Sequence, residues 1–194
     1  MEFLLGHIQV KLQFWFFLII GLFAYLDPTK SVGLVLLAIL IHELGHILAM
    51  WCCGVNVSSL ELGPFGARIC TDRIRMRSYI DEMFIYLAGP LAGILTAAVC
   101  LSLGQGGAYR FALINLGLSA FNLLPIETLD GGSFLYAVLS KFWGPVRASR
   151  WLKVISYCVM LPLFGISLYL LLQGGQNISL LITCTYLALT ALLR

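Results

Sequence analysis

Long apolar runs alternate with short polar breaks along this chain, and the runs have the length of membrane spans. A hydrocarbon core needs about 20 helical residues to cross it. Six runs approach that length, at residues 10–26, 31–53, 79–103, 107–124, 151–173 and 178–193. A shorter apolar piece, 132–139, is expected to continue the fourth run beyond an interruption. One break has a different pattern. In "VNVSSLELGPFGARICTD" Leu60, Glu61 and Leu62 alternate in character, Gly63, Pro64, Phe65 and Gly66 make a turn, and 67–71 can run back. This predicts a β-hairpin at the membrane surface, with an irregular loop as the alternative. The expected fold class is an all-α integral membrane protein of about six transmembrane helices with this short cytoplasmic hairpin. Without repeats or low-complexity tracts, residues 1–194 read as a single membrane-embedded domain.

Composition agrees with the pattern. The 194 residues are 60 % hydrophobic and 11 % charged, where a soluble domain carries about 25 % charged residues. A formal charge of +3 is too small to argue for nucleic acid as a partner. The placement of the cations says more. With the N-terminus inside, only Lys30 and Arg110 of the 12 basic residues fall outside. That bias puts both termini in the cytoplasm, and for a bacterial chain it means the inner membrane. Trp51, Trp143 and Trp151 then lie near cytoplasmic span ends, where an aromatic belt belongs. The six cysteines form no C-x-x-C pair and sit mostly in apolar runs, so no disulfide framework is expected. No small-x-small site follows the first run, which therefore reads as a retained span.

Chemistry concentrates in the second run, "VLLAILIHELGHILAMW". On a helix His42 and His46 share one face, one turn apart, and both can reach a single Zn²⁺. Glu43 can reach a water on that metal, which completes the H-E-x-x-H arrangement of two imidazole ligands and a general base. Zinc lowers the pKa of its water toward neutrality, the glutamate takes the proton, and a carbonyl is attacked. The chain has only three histidines, His7, His42 and His46, so a chance match would arise in roughly one such chain in a thousand. The alternative is a histidine pair hydrogen-bonded inside a helix bundle. That alternative must also explain an ionisable glutamate within a span, where such groups are costly and usually functional. Gly45 would let another helix or a substrate backbone come close.

A catalytic zinc site needs a third protein ligand and an open position. His7 precedes the first span and is the weaker choice. Asp27 lies in an outer loop, and Asp72 and Asp81 flank the hairpin. Asp130, in "AFNLLPIETLDGGSF", is the strongest candidate. Pro125 interrupts the fourth run there and Gly131–Gly132 loosen it again, as happens where a broken helix lines a cavity. The bland reading is that Asp130 caps a helix starting at Gly131. Asn122, about two turns earlier, could bind a substrate carbonyl or developing oxyanion, or make an interhelical hydrogen bond. Both the second and fourth runs pass from outside to inside, so His46 and Asp130 can reach one depth.

The order "HELGH", "GPFGAR", "AGPLAG" and "FNLLPIETLDGG" resembles the site-2 proteases, intramembrane zinc metalloproteases of the M50 class. It is most similar to the bacterial branch typified by the stage IV sporulation protease FB. The resemblance runs from the first span to about Leu139. It implies six spans around a three-helix catalytic core, here about 31–140, with additional helices at about 10–26 and 151–193. It implies His42, His46 and Asp130 as ligands of one Zn²⁺, Glu43 as the base, and Asn122 as an aid to substrate or transition-state binding. It also implies that the hairpin holds an extended substrate by edge pairing. Three features depart from the branch. Glu127 and Thr128 replace proline-rich residues, Gly93 stands where many relatives carry asparagine, and the chain stops at Arg194 where sporulation-type members continue into a nucleotide-sensing domain.

The expected activity is therefore zinc-dependent hydrolysis of peptide bonds in a membrane-associated or transmembrane substrate. A pro-sigma factor is one candidate, with anti-sigma factors and signal-peptide remnants as others. Membrane lipid and regulatory membrane proteins are the further expected partners. Two readings compete. An inactive zinc-binding membrane scaffold would close all four metal positions with protein ligands, and no obvious fourth ligand exists. A zinc transporter would need several acidic or histidine sites along a path, and the chain has few such residues.

Overall fold

The computed structural model describes residues 2–5, 8–12, 21, 25, 31–55, 57–63, 66–71, 78–104, 106–173 and 185. In chain order the elements are β1 (Glu2–Leu5), β2 (Ile8–Leu12), α1 (Val32–Cys52), β3 (Val57–Gly63), β4 (Gly66–Thr71), α2 (Tyr79–Ser102), α3 (Gly107–Asn122), α4 (Asp130–Trp143) and α5 (Pro145–Leu172). Among the described residues α1, α2 and α5 are long and apolar enough to cross a membrane. The protein is thus an integral membrane protein. The predicted runs 178–193 and most of 10–26 lie outside the described residues.

The strands form one sheet in the order β1-β2-β3-β4. β3 and β4 pair antiparallel from Val57↔Thr71 to Gly63↔Gly66, with an irregularity between Val57 and Ser59. β2 runs parallel to β3, and β1 pairs antiparallel with β2. These first two strands were not anticipated. Val10–Leu12, which open the first predicted span, lie in β2 instead. An apolar run of this kind suits a strand or a helix, and periodicity alone does not separate them.

The chain divides into two compact units, one from Met1–Ser78 with Ala88–Ser119, the other from Tyr79–Leu87 with Ala120–Arg194. In the first unit α1 inverts the pattern of a soluble helix. Leu37, Leu40, Leu44 and Leu48 are exposed, at helical spacing, while Ala38, His42, Gly45, His46 and Ala49 are buried. Small residues make the close packing possible. A Cβ on Gly45 would lie 2.6 Å from the Ala88 carbonyl oxygen and 2.9 Å from the Ala92 Cβ. A Cβ on Gly93 would run into the Ser119 hydroxyl, which would have to turn away to admit it.

In the second unit a compact break separates α3 from α4. Residues 123–129 turn through backbone bonds from Leu124 N–H to the Phe121 carbonyl (3.1 Å), Ile126 N–H to Leu124 (2.8 Å) and Leu129 N–H to Ile126 (2.9 Å). The 132–139 piece is therefore part of a separate helix, α4, and not a continuation of α3. Ile126 is fully buried and packs with Met160 of α5, surrounded by Phe121, Leu124, Leu129, Val159 and Leu163. α4 and α5 meet at Gly144, whose φ of +78° favours glycine, and Pro145 opens α5. The fifth predicted run thus begins six residues earlier than expected, at Pro145 and not Trp151.

Candidate metal centre

α1 carries the histidine pair through ordinary helical geometry. His42 and His46 are 4 % and 6 % exposed. Their Nε2 atoms face each other at 3.2 Å, with the rings edge-on, 80° apart and 4.9 Å between centroids. Two imidazole nitrogens on one tetrahedral zinc, each about 2.0–2.1 Å from the ion, are about 3.3 Å apart. The observed separation fits that requirement. Without a cation one ring would have to donate to the other, because two bare nitrogen lone pairs repel. Glu43 follows His42 directly and is half-buried.

α2 shapes the floor of the pair. Gly89 lies against His46 so closely that a Cβ there would overlap the imidazole ring at Nε2 and Cε1. Gly89 is buried, and Pro90 follows it inside the helix. The sequence signal was present in "AGPLAG", but nothing in the motif said that its first glycine makes room for a histidine.

Asn122 and Asp130 belong to the second unit and bracket the break. Asn122 ends α3 and Asp130 is the first residue of α4; both are half-buried. The cap position belongs to Leu129, so Asp130 is not the N-cap of a helix starting at Gly131. The two glycines after Asp130 have a steric reason. A Cβ on Gly131 would strike the Leu123 carbonyl, and one on Gly132 would strike the Ile126 carbonyl and come within 2.9 Å of the Glu127 nitrogen. The start of α4 therefore rests directly on the backbone of the break.

Ser156 on α5 holds the same loop from another side. It is 1 % exposed, accepts a hydrogen bond from the Glu127 N–H at 2.9 Å, and its hydroxyl lies 3.4 Å from the Pro125 carbonyl. Sequence reasoning missed this residue. A lone serine in an apolar run carries no spacing signal, and its partners lie 29 and 31 residues away.

The sequence pattern of the family described as Peptidase M50B-like matches residues 15–126, more than half of the chain. The chain belongs to this family. A second pattern, Peptidase family M50, matches residues 105–166. The chain is 32 % identical over 144 residues to a zinc metalloprotease of Methanocaldococcus jannaschii, covering 69 % of this chain and 42 % of that protein. It is 30 % identical over 162 residues to stage IV sporulation protein FB of Bacillus subtilis, covering 80 % of this chain and 56 % of that one. The chain thus spans about half the length of these relatives. Its structure is similar to that of a site-2 protease from Methanocaldococcus jannaschii, with a TM-score of 0.71 and 28 % identity over 98 % of this chain and 93 % of the other.

Proposed function

We propose that this M50B-like chain is an intramembrane zinc metalloendopeptidase that works as one membrane-embedded domain. It hydrolyses peptide bonds of membrane-associated or transmembrane substrates. The observation that carries this reading is the buried His42–His46 pair, with facing nitrogens 3.2 Å apart, on a helix whose outer face is leucine.

The proposed ligands are His42, His46 and Asp130, two imidazoles and one carboxylate, which is a donor set suited to catalytic zinc. When bound, the ion supplies Lewis acidity and brings a water within reach of deprotonation near neutral pH. Glu43 removes a proton from the attacking water and returns it to the leaving amine. Asn122 donates its amide N–H to the substrate carbonyl as negative charge develops there. Gly89 leaves the space that the His46 ring occupies.

A helical substrate shields its carbonyls, so cleavage requires an extended segment. Among the described residues β4 pairs only with β3, and its other edge suits strand addition. The name of the Bacillus subtilis relative supports a sporulation setting; a membrane-associated pro-sigma factor is the substrate proposed for that setting. The cation distribution supports cytoplasmic termini in a bacterial inner membrane.

The test is metal analysis and proteolysis of the purified protein in lipid nanodiscs. Membrane-tethered substrates, including a pro-sigma segment, would be incubated before and after treatment with a zinc chelator. We expect one zinc per chain, cleavage that stops on chelation, and recovery when zinc returns. Stoichiometric zinc with no metal-dependent cleavage across the panel would instead identify an inactive zinc-binding scaffold.

A further inference from the structure

The second unit contains a cavity of about 280 Å³ lined by Tyr86, Glu127, Ser133, Tyr136, Ser149 and Leu152. Among the described residues Glu127 is the only charged one in that lining. Two tyrosines and a carboxylate around one space form a cation-binding chemistry. The carboxylate supplies charge, the tyrosines offer aromatic surface able to attract a cation, and the two serine hydroxyls can accept N–H groups. The walls are regular. Ser133 and Tyr136 are three residues apart on α4, and Ser149 and Leu152 are three apart on α5, so each pair shares a helix face.

Glu127 is held in place and is not on a loose loop. Its N–H is fixed by the buried Ser156 hydroxyl at 2.9 Å, the preceding Ile126 is fully buried, and Gly132 is packed against the same backbone. A side chain carried on a fixed backbone costs less to engage than one whose backbone must also be ordered on binding. Ser133 also lies one turn along α4 from Asp130, so the cavity adjoins the segment that carries the proposed third ligand.

We propose that this cavity is a specificity pocket for an arginine or lysine side chain of the peptide substrate, with Glu127 as its selecting residue. The proposal rests on the protease reading, but its test does not need turnover. Binding would be measured with labelled peptides in pairs that differ only by arginine or uncharged citrulline at one position, scanned along the peptide. The protein would be the full chain in phosphatidylglycerol nanodiscs. Wild type should prefer arginine by about tenfold at one position, and Glu127→Gln should reduce that preference to about twofold or less. Glu127→Asp, which keeps the charge, should retain part of it and controls for folding.

Equal preference in wild type and Glu127→Gln, or none in wild type at any position, would overturn the proposal. The same cation chemistry occurs in phosphatidylcholine and phosphatidylethanolamine headgroups. Glu127-dependent retention of those lipids, without discrimination between the peptides, would assign the pocket to lipid and also overturn it. Absence of cleavage with intact arginine preference would count against the protease reading and leave the pocket standing.

Discussion

The helix that carries His42 and His46 and the break that Asn122 and Asp130 bracket solve the same problem in opposite ways. In α1 the backbone is regular, and position along the helix decides which side chains face inward. The only requirement beyond periodicity is space, supplied by Gly45 and Gly89. In the break the backbone is irregular, and position is decided by contacts. Gly131 and Gly132 rest on carbonyls, Ile126 is buried against Met160, and Ser156 holds the Glu127 N–H. A regular helix fails when a side chain loses its space or its chemistry. A contact-built loop fails when any one of several supports is removed.

Replacing a proposed ligand in the regular half should have the largest effect. His46→Ala is expected to weaken zinc binding by more than about 100-fold, since even the loss of an outer-shell partner commonly costs 10–100-fold. Equilibrium dialysis against a zinc buffer would measure it. Gly89→Ala should also lower zinc affinity without removing a donor, because the new Cβ overlaps the His46 ring. Unchanged affinity in Gly89→Ala would break the claim that space at α2 sets the imidazole.

In the contact-built half the expected loss is first of stability. Gly132→Ala forces a Cβ onto the Ile126 carbonyl and should destabilise the fold by about 1–3 kcal/mol, as overpacking does. Thermal unfolding in detergent would report it as a lowered Tm. Ser156→Ala removes one acceptor and leaves a half-buried N–H without its partner, for about 1–2 kcal/mol. The smallest effect should come from Gly117→Ala. Nothing lies within 4 Å of that added Cβ, and the position is inside α3, so a gain of about 0.5–1 kcal/mol is expected. A large loss at Gly117 would show that the packing around α3 differs from that described.

The same contrast explains what could be read from the amino-acid sequence. The facing of His42 and His46 on one side of α1 was legible because residues four apart share a helix face. The membrane-capable helices were legible because length and apolarity are local properties. Pro125 and the glycine pair announced a break near Asp130, but not that α4 would begin at Asp130 itself. Ser156 and the space above Gly89 were invisible, since each acts through a partner distant in sequence. β1 and β2 were hidden because an apolar run beside a predicted span looks like part of the span.

The central claim is that the histidines buried in an apolar helix hold a catalytic metal served by Glu43. Its most direct test compares wild type with Glu43→Gln in nanodiscs, measuring zinc content and cleavage of one membrane-tethered substrate on the same samples. The account predicts equal zinc in both proteins, with cleavage by the variant reduced by at least about 100-fold, the lower end of what a positioned general base contributes. Cleavage undiminished in a variant that retains its zinc would contradict it.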